Sequence, residues 1–482
     1  MIRIAVAMRI AGMINIILAA AMLLPLFVAL IYKEEDIYPF LISIVVTGGS
    51  GLLLFFGTSR VSMDVSHREG FIVVAISWIN AVFFSSLPYL LSGVVPSVAD
   101  AFFEATSGIT TTGATIFKDI ESLPYGLLVW RSVTHWLGGM GIVVLSVAVM
   151  PFLGVGGMQL YKAEASSISG EKFVPRIQEM AKILVLVYLF LSFVMLTMLL
   201  ISGMPLFDAF IHTIGGISTG GFSLKNASIG AYNNINAEWI IIIFMILGAT
   251  NFALHYDFYR IGIKAYVKNE EFRFYIFVMV VATIFVTINL WVEYYDSMAQ
   301  AFRYAFFQVV SITTTAGYTT ADFSFWPFFS QMVLLVLMFI GGSAGSTTGA
   351  IKCVRVLVLL KLLYKEVYRL IHPHAVTPVK LNGKVIPPEV LRSVAGFTFL
   401  FFLVFVLSSG VLTMLGLDLV TSISSAAATL GNVGPALGMA GPVVGYGELP
   451  DLAKWVLILN MILGRLEIYT LIILLFPAFW RG

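Results

Sequence analysis

Charge is scarce in this 482-residue chain: Asp, Glu, Lys and Arg make up 11% of it, against 59% hydrophobic residues. Soluble domains carry about 25% charged residues, so a water-exposed globule is excluded. Cysteine is nearly absent, and the single Cys353 permits no disulfide within the chain. Low-complexity stretches are missing as well. The apolar segments hold no nucleophile–base pair, no HExxH and no pair of catalytic carboxylates, which argues against a membrane-embedded enzyme. His135, His212 and His255 are dispersed and read as satisfied or packing residues rather than a metal site or proton relay, and His372-Pro373-His374 has too few neighbouring ligands for a metal site. No small-residue cleavage site follows the first apolar stretch, Ile4–Tyr32, so it reads as a retained span rather than a signal peptide. With a mean hydropathy of +0.96, what remains is a polytopic membrane protein.

Runs of about 20 apolar residues mark the spans. Ten are present: Ile4–Tyr32, Ile37–Gly57, 71–91, 123–153, 183–202, 239–259, 274–291, 325–363, 394–415 and 452–480. Trp130, Trp239 and Trp480, near span ends, read as interface anchors. Shorter segments at 100–110, 207–218, 298–314 and 418–429 alternate with the later spans. As helices they reach about 15–25 Å, short of a hydrocarbon core of about 30 Å. They are expected to enter the membrane and turn back. The fold class is therefore an all-α polytopic membrane protein, with four pseudo-symmetric helix/pore-loop/helix repeats around one central pore and two extra N-terminal transmembrane helices. The expected units are 1–69 for the extension, then 70–156, 157–267, 268–370 and 371–482 for the repeats.

Each short segment ends in a hydroxyl-rich glycine tripeptide: Thr111-Thr112-Gly113, Ser218-Thr219-Gly220, Thr315-Ala316-Gly317 and Thr429-Leu430-Gly431, the last followed by Asn432. One such tripeptide is an ordinary turn between helices. Four, about a hundred residues apart, are a repeat. A second signature follows each in the same order: Leu137-Gly138, Leu247-Gly248, Ile340-Gly341 and Leu463-Gly464. Irregular backbone inside a membrane survives only within protein or beside water. Four such strands on one axis offer stacked carbonyl rings that replace a cation's hydration shell, with helix C-termini of about −0.5 charge behind them. No Asp or Glu sits at the tripeptides, so a monovalent ion fits better than a divalent one.

Placing the N-terminus in the cytoplasm puts 21 of the 28 basic residues on the inner side. Only Lys33, Lys118, Arg131, Lys225, Arg303, Lys454 and Arg465 remain outside or within the membrane. The pore loops then open outward, near acidic residues such as Asp119, Glu121, Glu448 and Asp451.

In these motifs the chain resembles the Trk/Ktr/HKT superfamily of potassium transporters, and within it the membrane subunit of the bacterial Trk uptake system (TrkH-like). The resemblance covers nearly the whole chain, and the two leading helices are those of the Trk branch. It implies potassium uptake through a selective, gated pore in the bacterial inner membrane, a homodimer, and a cytosolic nucleotide-binding regulatory subunit (TrkA-like) on which ATP/ADP or NAD(H) acts. Gly113, Gly220, Gly317 and Gly431 match the family's filter glycines, and sodium-preferring relatives carry Ser at the first of them. No cofactor and no metal beyond potassium at the filter residues are expected. The alternative is a symporter coupled to protons or sodium, for which the chain shows little of an ionisable relay.

The third repeat holds the expected gate. Gly341-Gly342-Ser343-Ala344-Gly345-Ser346-Thr347-Thr348-Gly349 interrupts an apolar run, and each Gly costs about 1 kcal/mol of helix propensity relative to Ala. Close helix packing through small residues is the plainer reading; the resemblance implies an intramembrane gating loop. The basic stretch from Lys352 to Arg369 follows as a handle for a regulatory partner. Arg465 stands mid-span where the other repeats have Gly139, Ala249 and Gly342, so it is either a cavity-facing cation beneath the filter or half of an ion pair, Glu467 being the nearest acid. Asn251, at the place of Glu467, is expected to line the same cavity.

Overall fold

The computed structural model describes residues 3–60, 66–148 and 173–481. Lys162, Lys172, the end of the 123–153 run and the boundary between the first two repeats lie outside them. Two spans come first: α1 (Ile4–Ala21) continued by α2 (Leu23–Tyr32), then α3 (Ile37–Gly57). The chain has glycine where α1 and α3 cross. A Cβ on Gly12 would lie 2.8 Å from the Phe55 nitrogen, and one on Gly51 2.9 Å from the Gly12 carbonyl. Small residues thus bring the two backbones together, the usual means of packing helices where lipid offers no hydrophobic drive. Buried Asn15 accepts from Asn80 and donates to Ser50 at 3.1 Å, which ties α1 to α3 and to the first repeat.

The first repeat is α4 (His67–Ser92), α5 (Val98–Ile109) and α6 (Tyr125–Ala148). In the second, α7 (Phe173–Ile201) and α8 (Leu206–Ile217) precede α9 (Ile235–Gly248) and α10 (Phe252–Ile261). After the short α11 (Lys264–Lys268), the third comprises α12 (Glu270–Glu293), α13 (Met298–Thr313), α14 (Phe328–Ile340) and α15 (Cys353–Ile371). A two-stranded antiparallel hairpin, β1 (Lys380–Leu381) and β2 (Lys384–Val385), leads to the fourth: α16 (Pro388–Met414), α17 (Leu419–Leu430), α18 (Asp451–Arg465) and α19 (Tyr469–Ile472). The chain closes with α20 (Pro477–Trp480).

The four short segments are the helices α5, α8, α13 and α17, of 12, 12, 16 and 12 residues, with their C-terminal halves fully buried. They stop partway through the core, as expected. In three of the four repeats the apolar–Gly signature has a packing cause, Gly341 facing the Gly349 carbonyl of its own loop instead. A Cβ at Gly138, Gly248 or Gly464 would fall 2.0, 2.8 and 2.0 Å from the last carbonyl of the short helix in its own repeat, that of Ile109, Ile217 and Leu430. Only glycine lets the following helix come so close.

Two runs expected as continuous helices are not. Those at 239–259 and 452–480 bend by 95° and 105°, at the α9/α10 and α18/α19 breaks. In the first, Asn251 caps α10, while Ser343 N–H donates to the Ala249 carbonyl at 2.8 Å and Phe252 N–H to that of Gly345 at 3.1 Å. The backbone freed by the break is thus satisfied by the third repeat, as an apolar surround demands. In the second, Glu467 takes a left-handed conformation, φ +55°. The 325–363 run divides around the Gly341–Lys352 loop, as its composition foretold. Trp130 is no interface anchor: it is wholly buried and donates to the Ser85 carbonyl at 3.1 Å.

Replacing Gly51 by Val overpacks the α1–α3 crossing. The expected loss is about 1–3 kcal/mol, read as a lower thermal midpoint in detergent; an unchanged midpoint means the crossing is not close-packed.

Candidate functional site

The four short helices terminate identically. The N–H groups of Thr112, Gly220, Ala316 and Val433 bond the carbonyls five residues back, those of Ser107, Gly215, Ser311 and Ala428, at 2.9, 2.9, 2.9 and 2.8 Å. This is a Schellman closure, and it requires a left-handed residue just before. Those residues are Thr111, Thr219, Thr315 and Asn432, with φ of 52°, 52°, 54° and 52°. For β-branched threonine this is strained backbone, of the kind kept where the surrounding structure imposes it. Two positions later comes a positive-φ glycine: Gly113 (80°), Gly221 (83°), Gly317 (77°) and Gly434 (103°).

That register corrects the tripeptide alignment in two repeats. In the second, the glycine equivalent to Gly113 is Gly221, Gly220 occupying the place of Thr112; Ser218 is the helix cap. In the fourth, the strand is Asn432-Val433-Gly434. Thr429 and Leu430 belong to α17, and Gly431, with φ −78°, is its cap. Matching hydroxyl–glycine side chains misaligned these repeats because equivalence follows the helix end. The usable signal was a glycine three residues past each cap.

The strands close on one another. A Cβ at Gly113 would lie 2.1 Å from the Gly220 carbonyl oxygen, at Gly221 1.9 Å from that of Ala316, at Gly317 2.3 Å from that of Val433, and at Gly434 2.6 Å from that of Thr112. Each repeat meets the next and the fourth returns to the first. All four glycines line one vestibule. Glycine is required twice over here, for its φ and for the room its missing side chain leaves.

The Gly341–Gly349 loop packs against the deep end of this ring. The Thr347 hydroxyl lies 2.9 Å from that of Thr219, and Gly349 N–H donates to the Thr315 hydroxyl at 3.1 Å. Gly349 also abuts Asn432, whose amide donates to the Thr112 hydroxyl at 3.0 Å. Arg465 completes the closure, donating to the Thr347 carbonyl at 2.7 Å and to that of Gly138 at 3.4 Å. Ser343, Ser346, Thr347 and Thr348 are buried, and Glu271 accepts the Ala344 N–H at 2.7 Å. The Arg465–Glu467 pair does not form: Glu467 takes Arg355, with Lys352 at 3.8 Å. Asn251 backs the loop at Gly345, rather than standing beside Arg465.

Among the described residues, Arg131, Lys352, Arg355, Lys454 and Arg465 are the buried cations. The first four have a carboxylate within 4 Å, and Arg465 has carbonyls. Around the vestibule, Lys225 pairs with Glu121 at 2.8 Å and Lys118 with Glu448. The hydrogen bond from Lys225 holds the Glu121 carboxyl below its ordinary range and raises the lysine in turn, so the pair stays ionised through neutral pH.

A family model described as TrkH, cation transport protein, matches residues 39–481. The chain belongs to this family. It is 41% identical to the Trk system potassium uptake protein TrkH of Vibrio parahaemolyticus, over 98% of this chain and 99% of that one. Identity to the TrkH of Salmonella typhimurium is 40%, over 98% of each. The crystal structure of the potassium transporter TrkH from Vibrio parahaemolyticus superposes with a TM-score of 0.92 at 39% identity, each chain fully covered. Like the other members of the family, this chain is a transport protein and not an enzyme.

Alanine at Gly221 or Gly434 forces a left-handed Cβ, at about 1–2 kcal/mol, into a neighbouring carbonyl. If the ring holds an alkali cation, potassium is expected to raise the thermal midpoint of the unaltered protein and not that of either variant. A folded Gly434→Ala protein in which potassium still raises the midpoint means Gly434 is not needed for ion binding.

Proposed function

We propose that the chain takes up potassium across the inner membrane through one passive, gated pore. Thr111-Thr112-Gly113, Thr219-Gly220-Gly221, Thr315-Ala316-Gly317 and Asn432-Val433-Gly434 supply carbonyl rings that replace the ion's water. The closed cycle of glycine-to-carbonyl approaches carries this reading. The names of the relatives support potassium as the ion. Gly113, in place of the serine of sodium-preferring members, supports it further. Coupling to protons is disfavoured because Asp100, Glu104, Glu238 and Glu467 each sit against a cation, which suits them poorly to carry protons.

The loop from Gly341 to Gly349 is the gate, with Arg465 as its latch and as an electrostatic barrier to a cation leaving the ring. Conduction requires Thr347 to part from Thr219 and Arg465 together. Helix α15 follows the loop directly and carries Lys361, Lys365 and Arg369, the handle for a cytosolic nucleotide-binding subunit. The N-terminus is cytoplasmic, in keeping with the basic residues, and the protein works as a homodimer. The repeats run from 70, 157, 268 and 371.

In proteoliposomes, current is expected to reverse at the potassium equilibrium potential whatever the pH gradient; a reversal that follows pH supports symport instead. Gly113→Ser is expected to lower potassium-over-sodium preference about tenfold, the scale of a single lost polar contact in a selective site. Arg465→Gln, or deletion of residues 342–345, is expected to raise basal flux several-fold. Silent, well-folded variants of both kinds reduce the loop to packing.

A further inference from the structure

With the ring in register, pseudo-symmetry exposes a second tier behind it. Nine residues before each ring glycine, the short helices carry Glu104, His212, Gln308 and Ser425, all without exposed surface. Two residues after the glycines stand Thr115, Ser223, Thr319 and Ala436. In the first repeat the Thr115 hydroxyl donates to the Glu104 carboxylate at 3.1 Å and accepts the Phe117 N–H at 3.2 Å. In the second, the Ser223 hydroxyl accepts the Lys225 N–H at 3.2 Å and lies 3.2 Å from His212 Nε2. His212 Nδ1 is 2.8 Å from the Asp208 carbonyl, which can only accept, so Nδ1 carries the proton and Nε2 receives that of Ser223. A carboxylate and an imidazole thus do one job at equivalent positions.

The two braces are joined. Arg131 donates through Nε to Glu104 at 2.7 Å, to the Thr115 hydroxyl at 3.1 Å and, across the junction, to the Ser223 carbonyl at 3.2 Å. Its guanidinium lies 4.1 Å above the Phe222 ring, which stacks at 4.0 Å on His135. His135 fills the space behind Gly220, where a Cβ would lie 2.3 Å from Nδ1. The other half is held differently: the Ser311 hydroxyl donates to the Tyr318 carbonyl at 2.6 Å and the Tyr446 hydroxyl to the Gly434 carbonyl at 2.8 Å, while Gln308 has neither amide atom hydrogen-bonded among the described residues and Ala436 has no hydroxyl.

We propose that Glu104 and His212 are positioning residues for ion selection: through Thr115, Ser223 and Arg131 they lock the first two strands into one stiff half-ring, which sets how strictly potassium is preferred over sodium. The proposal rests on the ring being the filter. Two alkali ions of similar size are told apart by the spacing and field of carbonyls, and a backbone free to shrink around the smaller ion loses that distinction. The hydroxyl braces hold the strand just beyond Gly113 and Gly221.

The test is the potassium-to-sodium permeability ratio from reversal potentials in proteoliposomes, for Glu104→Gln and for the double variant Thr115→Val/Ser223→Ala. Glu238→Gln, which breaks the Glu238–Arg303 pair away from the ring, is the control. The ratio is expected to fall about fivefold, the equivalent of roughly one buried hydrogen bond, with total cation flux retained and the control unchanged. An unpaired buried Arg131 threatens folding of Glu104→Gln, so the double variant, which loses only two hydroxyls and replaces one by a methyl, decides. If it runs as a single species on size exclusion and keeps the ratio, the brace is overturned. Gly113→Ser measured alongside separates the failures: a ratio lowered there but not by the brace variants sinks the brace alone, and one unmoved by Gly113→Ser sinks the filter itself.

Discussion

A helix that stops partway through a membrane leaves its last carbonyls and the following backbone in a medium where each bare polar group costs several kcal/mol. This chain does so four times and meets the demand with one device. A Schellman closure ends each short helix, a strained left-handed residue turns the strand, and a glycine brings it against the next repeat's carbonyl. No strand satisfies the requirement alone. The cycle closes only when all four are present, so the conduit follows from solving the backbone problem rather than being added to it.

The same demand explains the irregular helices around the ring. Three of the four helices that follow the strands are broken at the level of its deep end, and the freed groups are used by neighbours: the Ala249 carbonyl by Ser343, the Gly345 carbonyl by Phe252. The loop of the third repeat is thus held by the break of the second and by Arg465 beside the break of the fourth.

Charge is arranged by the same economy. Burying an ion without a counter-ion is prohibitive, and four of the buried cations sit against carboxylates that stitch one repeat or segment to another. Arg465 differs in donating to backbone carbonyls, those of Thr347 and Gly138, where the other four have a carboxylate. The ring's surroundings are unequal too: Glu104 and His212 meet hydroxyls beyond the first two glycines, whereas the Ser311 and Tyr446 hydroxyls donate to backbone carbonyls of the other two strands. Fourfold backbone symmetry therefore coexists with side chains that give each repeat a separate duty.

Hydropathy revealed the ten apolar runs, the four segments too short to span and the lone Arg465, and residue identity and spacing the repeat of glycine signatures and the broken third repeat, because each is local in the chain. Neither revealed the strand register in the second and fourth repeats. There Gly220-Gly221 offers two candidates and Thr429-Leu430-Gly431 imitates the motif, while the true equivalence lies in where the helix ends, a matter of backbone geometry. Nor did they reveal the bends at Asn251 and Glu467, the pairing of Glu467 with Arg355, or which groups satisfy His212. The bend at Asn251 and the Glu467–Arg355 pair depend on groups about a hundred residues away in the chain, and the contacts of His212 on how its own repeat folds back on itself. Burial preference is written residue by residue; hydrogen-bond and charge partners exist only once the four repeats have met.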